Sequence, residues 1–336
     1  MNHVVGFVTH SSPEVGLGHL RRCLTLAQAV THRGAAVAFV LGPDPHGFST
    51  VQSRGFSAKA LPALEISAAV LALRAVAATV VVADSYDFTE EDYRALSEAA
   101  PVAALDDLGN RNLPVAMLWN GGIQSERLDY SARVLRYTRL LLGPQYALLA
   151  PEYRELPPRV LRETVERVLV TVGGADPAGA LAPLVRGTRR GCPGAKLDVV
   201  LGPYVDAPAD LVDDGIEFHR SLPSLLPILQ AVDLAVSAGG QTTYEIAATG
   251  TPAVVIWTAD NQRPQVLEFE RRGTLNAAGD IRDGTRVEDR IARAVAALAV
   301  DAEARRAMSR AGQACLDGQG ASRTADAVLS LSQRPS

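Results

Sequence analysis

The chain has 336 residues, 47% of them hydrophobic and 21% charged, with a formal net charge of −4 and a pI near 5.9. That length exceeds one hydrophobic core and suggests two domains of roughly 150 residues each, while the mildly acidic balance argues against a nucleic-acid protein, which carries a basic face. No apolar run approaches the ~18 residues of a membrane span, and Cys23, Cys192 and Cys315 stand far apart in no metal-binding spacing, so the expectation is a cytoplasmic protein without disulfide framework, metal or cofactor.

Met1-Asn2-His3 lacks the positive region of a signal peptide, and Val4 to Val8 reads as a first strand. It leads through His10-Ser11-Ser12-Pro13 into Gly16-Leu17-Gly18-His19-Leu20-Arg21-Arg22. Apolar residues at Cys23, Leu24, Ala27 and Val30 then share one helical face, which Gly34 ends. His19 therefore stands at a helix N-terminus above a strand's C-terminal end, where open α/β sheets bind ligands. A plain tight turn fits the glycine spacing equally well. The third glycine of a dinucleotide fingerprint is replaced by Arg21, and no P-loop pattern occurs.

Ala36 to Leu41 is the second expected strand, Gly42-Pro43-Asp44-Pro45 a loop, and Ile66 to Ala77 a helix. Thr79 to Ala83 reads as a buried parallel strand ending in Asp84-Ser85-Tyr86. Thr89-Glu90-Glu91-Asp92 resembles a capping box opening a helix to Ala100, and strands follow at Val102–Leu105 and Val115–Trp119. Asp106 and Asp107 are adjacent at a strand end, so they point to opposite faces and make a poor acid/base couple. Asp107 reads as capping or loop structure, with a sugar contact as the other possibility.

Gly143 to Pro158 is a proline-rich connector, placing the domain division at 1–155 and 156–336, with the last helix free to pack back on the first domain. A second series begins with Arg167–Val172, which runs into Gly173-Gly174-Ala175-Asp176-Pro177, and continues with strands at Leu197–Val200 and Ile216–Phe218. Asp233–Val236 then leads into Ser237-Ala238-Gly239-Gly240-Gln241-Thr242-Thr243-Tyr244-Glu245. Here two glycines and three hydroxyl residues stand where a strand turns into a helix, whose unpaired N–H groups and positive dipole end favour a phosphate. Glycine also lets the backbone approach an anion closely. This turn is expected to hold the diphosphate of a nucleotide-sugar. Pro252–Trp257 is a further strand, followed by Ala259-Asp260-Asn261-Gln262, and helices cover Val287–Leu298, Ala302–Leu316 and Ser322–Leu331. The β-α alternation predicts an α/β protein of two doubly wound, Rossmann-like parallel-sheet domains facing a central cleft.

Five segments, in order, resemble a known family: Gly16-Leu17-Gly18-His19-Leu20-Arg21-Arg22-Cys23-Leu24-Thr25-Leu26-Ala27, Leu142-Gly143-Pro144-Gln145-Tyr146-Ala147-Leu148-Leu149, Gly173-Gly174-Ala175-Asp176-Pro177, Ser237-Ala238-Gly239-Gly240 and Ala259-Asp260-Asn261-Gln262. They are similar to motifs of the UDP-2,4-diacetamido-2,4,6-trideoxy-β-L-altropyranose hydrolases of pseudaminic acid biosynthesis, relatives of GT-B glycosyltransferases. The resemblance implies a GT-B-like fold and hydrolysis of a UDP-linked diacetamido trideoxy sugar by water at the anomeric carbon, without metal. It further implies His19 and Asn261 as catalytic residues, with Tyr86 on the sugar side. Gly18, Arg22 and Asp260 are placed with them: Arg22 stands in a first helical turn against the dipole preference, a solvated face being the other reading, and Asp260 orders the loop presenting Asn261. Gly173, Gly174, Asp176, Ser237, Gly239, Gly240, Gln241, Thr242 and Glu245 would serve the nucleotide. The chain departs from the family pattern at Ser85, where many members carry histidine, and around Leu118–Gly121, so its nucleotide half matches more closely than its sugar half.

The expected partner is a UDP-linked nucleotide-sugar, with no nucleic acid and no membrane span. Loss of a diphosphate develops charge that fixed N–H groups stabilise, and an imidazole titrating near neutrality can take a proton from attacking water. His19 could instead cap its helix or bind a phosphate. The other histidines, His3, His10, His32, His46 and His219, show no ligand spacing. Two further functions remain open: a glycosyltransferase moving the sugar to another acceptor, and a non-catalytic nucleotide-sugar binder.

Overall fold

The computed structural model describes residues 3–12, 18–208, 211, 214–220 and 222–332. It contains two compact units, one of Met1–Pro151 with Gln319–Ser336 and one of Glu152–Gly318. The sequence places a single division at 155/156; in the structure the chain crosses at Pro151 and returns at Gln319.

The first unit opens with β1 (Val4–Thr9), α1 (Gly18–Thr31), β2 (Ala36–Leu41), α2 (Pro45–Ser53), β3 (Ser57–Ala60) and α3 (Ile66–Ala75). It continues with β4 (Val80–Asp84), α4 (Glu90–Leu96), β5 (Val102–Leu105), β6 (Met117–Asn120) and β7 (Arg139–Leu142). The seven strands lie in the order β3-β2-β1-β4-β5-β6-β7, every pair parallel. All residues of β4 and β5 are buried, because helices must cover both faces of a parallel sheet. Val8, Val81, Ala83, Leu73, Tyr93 and Leu96 meet in one core cluster. The expected loop holds over Gly42–Asp44, and a helix that the sequence did not announce begins at Pro45: Asp44 accepts from the N–H groups of His46 and Gly47, and Pro45 occupies the first turn, where its missing N–H costs nothing. The expected capping box is present, with Thr89 and Asp92 bonding reciprocally.

The second unit contains β8 (Arg167–Thr171), α5 (Leu181–Gly191), β9 (Lys196–Leu201), β10 (Ile216–Arg220), α6 (Leu226–Ala231) and β11 (Leu234–Ala238). Then come α7 (Gln241–Ala248), β12 (Ala253–Trp257), α8 (Arg263–Arg271), β13 (Asn276–Asp280), α9 (Thr285–Val300) and α10 (Ala302–Cys315). Its parallel strands run β10-β9-β8-β11-β12-β13 over a core that includes Val168, Val170, Leu184, Val199, Val236, Ile256 and Ile291. The last helix, α11 (Gly320–Leu331), packs in the first unit, where Arg33 holds it through Asp326 (2.5 Å) and Ser322 Oγ (2.6 Å).

Both sheets therefore share one topology, in which strand order reverses beside the first strand: between β1 and β4 in one unit, and between β8 and β11 in the other. At such a reversal the connections leave in opposite directions and open a crevice above the strands' C-terminal ends. In the second unit the turn after β8 is shaped by Gly202. A Cβ there would lie 2.1 Å from the Gly173 carbonyl oxygen and 2.5 Å from that of Gly174. Backbone atoms cannot swing aside as side chains do. Gly202→Ala is expected to lower stability by about 1–3 kcal/mol, read as a lower denaturation midpoint, whereas Gly194→Ala, whose Cβ meets nothing within 4 Å, should leave it within about 1 kcal/mol.

Candidate active site

In the first unit the reversal point carries a cluster of charged side chains. α1 presents His19 and Arg22 three residues apart on one face, toward Asp84 at the end of β4. His19 Nδ1 lies 2.7 Å from Asp84 Oδ1. Arg22 grips the same carboxylate with Nε (2.5 Å to Oδ2) and Nη2 (2.6 Å to Oδ1), and donates through Nη1 to Asp107 Oδ2 (2.7 Å). Tyr86 donates its hydroxyl to that Asp107 oxygen at 2.6 Å, and its ring meets His19 edge-on with centroids 4.5 Å apart. His10 lies against the other side of His19 at 5.5 Å. Burial, then the neighbouring His19, lower the His10 pKa.

Asp84 is 1% exposed. Burial alone would push its carboxyl up, but Arg22 and His19 outweigh it and hold the group well below the usual carboxylate range. An ionised carboxylate is a strong acceptor, so the Nδ1 proton of His19 points to Asp84. Arg22 Nη2 also lies 2.8 Å from Nδ1, but its own acceptor is the same Asp84 oxygen. With the proton on Nδ1, Nε2 keeps its lone pair, and it has no hydrogen-bond partner among the described residues. The ring is 4% exposed.

A second layer holds these groups. Asp106, fully buried, accepts from Gly109 N–H (2.6 Å) and the Tyr130 hydroxyl (2.8 Å). Arg111 reaches Asp106 (3.3 Å) and donates to the carbonyls of Ser85 (2.8 Å) and Tyr86 (3.2 Å). The opposite-face argument for Asp106 and Asp107 is right about direction. One points into the core, the other into the cluster, where Asp107 bonds Arg22 and Tyr86 and caps no helix. His10, without ligand spacing in sequence, also lines the cluster. Gly18 begins α1 with open space where a Cβ would be; Gly16 lies outside the described residues.

The second unit's reversal point carries the glycine turns. Gly173 takes φ 88°, which favours glycine, and no atom lies within 4 Å of a Cβ on Gly173 or Gly174. Asp176 is turned away: its carboxylate accepts from Ala180 N–H (2.7 Å) and Leu181 N–H (2.9 Å). Those bonds tie it to the start of α5. Ser237 is fully buried in β11 and donates to the Ala238 carbonyl, so its hydroxyl is not displayed at the turn. Gly239 spends its N–H on the Ile256 carbonyl (2.7 Å), and a Cβ there would meet Val266 at 2.7 Å, so packing of α8 by itself requires that glycine. Gly240 opens α7 at φ 156° with open space beside it. Its N–H meets Thr243 Oγ1 (3.3 Å) and its carbonyl accepts from Gln265 (3.0 Å). Gln241 and Thr242 form the exposed and half-exposed first turn of α7. Glu245 lies one turn further on, close enough to add to burial in pushing the Tyr153 phenol up.

Asp260 and Asn261 are exposed in a short turn after β12. Asp260 pairs with Arg282 (2.5 Å), which also holds Asp280 (2.6 Å), the acceptor of the Trp257 indole (3.0 Å). His19 and Asn261 belong to different units. His219, without ligand spacing in sequence, comes together with Asp198 and Glu217 within 4.8 Å. Arg167 and Lys196 already pair with those carboxylates at 2.7 and 2.6 Å, so a cation would meet a neutralised cluster.

The chain has the two-domain GT-B fold. Among solved structures it resembles the spinosyn forosaminyltransferase SpnP, with TM-score 0.69 and 14% identity, covering 99% of this chain and 100% of that one. It also resembles Anabaena Alr3699/HepE, solved in complex with UDP and glucose, with TM-score 0.63 and 12% identity over 97% and 99% of the two chains. In sequence, the uncharacterized protein MJ1062 of Methanocaldococcus jannaschii is 22% identical over 300 residues, 83% of this chain and 61% of that protein. The chain thus spans about three fifths of that relative's length. No family model matches. Among the described residues no helix is long and apolar enough to cross a membrane.

Asp84→Asn is expected to cost about 3 kcal/mol at pH 7, the lower end for breaking a buried pair, because Asp107 still faces Arg22. The folded carboxyl lies below its unfolded value, so its stabilisation is full above about pH 4 and is lost as pH falls toward the lower folded value. Urea unfolding at pH 7 and pH 3 should show the gap between wild type and variant narrowing at the lower pH.

Proposed function

We propose that the chain is a glycosyl-transfer enzyme that takes its sugar from a nucleoside-diphosphate sugar, UDP-linked, and passes it to an acceptor hydroxyl. The observation that carries this is His19: its Nδ1 faces the ionised Asp84 at 2.7 Å, which leaves Nε2 as the base. The GT-B fold and the nucleotide bound in HepE support the donor class.

In the reaction His19 Nε2 takes the acceptor's hydroxyl proton as that oxygen bonds to the anomeric carbon. The bond from the anomeric carbon to the diphosphate breaks, and UDP leaves with the electron pair. The imidazolium so formed faces Asp84, whose charge is fixed in advance and needs no reorganisation. General-base action of this kind contributes about 10²- to 10⁴-fold. The leaving diphosphate is assigned to the first turn of α7, at Gly240, Gln241 and Thr242, with Gly173 and Gly174 beside it; no catalytic step calls for a cofactor.

A second reading, with water as acceptor, is favoured by the five ordered motifs shared with the UDP-diacetamido-sugar hydrolases. In it Asn261, by the same resemblance, is assigned to the reacting sugar.

Purified protein incubated with UDP-sugars separates the two. Under the main reading UDP release depends on an added acceptor alcohol; stoichiometric UDP and free reducing sugar without acceptor transfers the proposal to hydrolysis. No release under either condition rejects both. His19→Ala should lower turnover at least 10²-fold while UDP affinity stays within about twofold, and undiminished turnover would remove His19 from the chemistry.

A further inference from the structure

The cluster holds an acceptor that the proton transfer does not use. Both donors to Asp107 converge on a single oxygen: Arg22 Nη1 at 2.7 Å and the Tyr86 hydroxyl at 2.6 Å both reach Oδ2. Oδ1 has no hydrogen-bond partner among the described residues. The Asp107 side chain is 28% exposed, and with Oδ2 enclosed by two donors the open atom is Oδ1. Beside it stands the Tyr86 ring, among the large apolar side chains that remain exposed, at 40%. The Tyr86 hydroxyl bond locks ring and carboxylate together, and Arg111, donating to the Ser85 and Tyr86 carbonyls, fixes the loop that carries the ring.

A pyranose offers two kinds of surface: C–H faces that pack on an aromatic ring, and hydroxyl or amide N–H groups that donate hydrogen bonds. An exposed ring fixed beside an unpartnered carboxylate oxygen matches both. We infer that Asp107 Oδ1 is the sugar-reading acceptor of this enzyme, taking a hydrogen bond from a hydroxyl or acetamido N–H of the transferred sugar while that sugar rests on Tyr86. The inference rests on the nucleotide-sugar reading. It assigns Asp107 to specificity, distinct from the base His19. A charged acceptor left unpaired by a sugar lacking the donor rejects that sugar more strongly than lost apolar contact would.

Replacement by asparagine inverts the open atom. Arg22 and Tyr86 are both donors and select the amide oxygen, so Asp107→Asn turns Nδ2, a donor, toward the sugar. The test measures calorimetric affinities of wild type and Asp107→Asn for UDP, UDP-glucose, UDP-N-acetylglucosamine and their 3-, 4- and 6-deoxyfluoro analogues, which lack one hydroxyl donor each. The expected result has three parts: UDP affinity unchanged within twofold, affinity for at least one UDP-sugar at least tenfold weaker in the variant, and one fluoro position whose penalty in wild type vanishes in the variant. Equal penalties in both proteins at every position overturn the inference, as does a wild type that binds every UDP-sugar no more tightly than UDP. Absence of UDP binding rejects the nucleotide reading, and the inference with it. Should Asp107→Asn fail to fold, Tyr86→Phe serves instead. It keeps the ring but frees one bond on Oδ2, and a two- to fivefold loss confined to the UDP-sugars is expected, an unchanged ratio to UDP being the contrary result.

Discussion

A carboxylate that is 1% exposed and still ionised is the constraint on which the first unit's site depends. Taking such a charge out of water costs several kcal/mol unless it is paired and its oxygens are filled. Asp84 meets that condition with one cation and one neutral donor: the fork of Arg22 and the Nδ1 proton of His19. The rest of the geometry follows from it. Because Arg22 Nη1 is turned the other way, it reaches Asp107. Because Asp107 is held there, the Tyr86 hydroxyl has a fixed acceptor, and the Tyr86 ring stays against His19. One buried charge thus orients an imidazole, an aromatic surface and a second carboxylate.

The second unit works by backbone accounting. Every N–H at the end of β11 has a defined fate: that of Gly239 joins the sheet, and that of Gly240 turns to Thr243. The proposed anion site is therefore centred on the first turn of α7 and not on the whole run of glycines and hydroxyls. The glycines have separate causes. Gly202 and Gly239 are small because backbone or a core valine stands where a Cβ would go, whereas Gly173 is required by its φ of 88° and Gly240 faces open space. Only the last two are free of packing reasons.

The alternation of buried strands and amphipathic helices was legible because parallel strands covered on both faces read as continuous apolar runs. The edges were not. β3 has the sequence Ser-Ala-Lys-Ala and is largely exposed, and β13 is Asn-Ala-Ala-Gly-Asp; neither carries a strand's pattern, because an edge strand is held by its neighbour's backbone more than by its own side chains. α2 hid behind two prolines, one of which occupies the helix's first turn. At the site, His19, Arg22 and Tyr86 were found through position above a strand end and through resemblance. Asp84 and Asp107 carried the same positional signal, but nothing local says that a strand-end aspartate will be met by an arginine from another element. Asp176 and Ser237 show the converse: a polar residue in a glycine turn is as useful to its own helix or strand as to a ligand.

The central claim is the proton on His19. Nitrogen-resolved NMR of the ¹⁵N-histidine-labelled protein, with His19 assigned by comparison with His19→Ala, reports which ring nitrogen carries hydrogen at neutral pH. The account predicts a proton on Nδ1, shared with Asp84, and a bare Nε2. A proton on Nε2, with Nδ1 accepting from Arg22, would leave no base facing the acceptor and would contradict it.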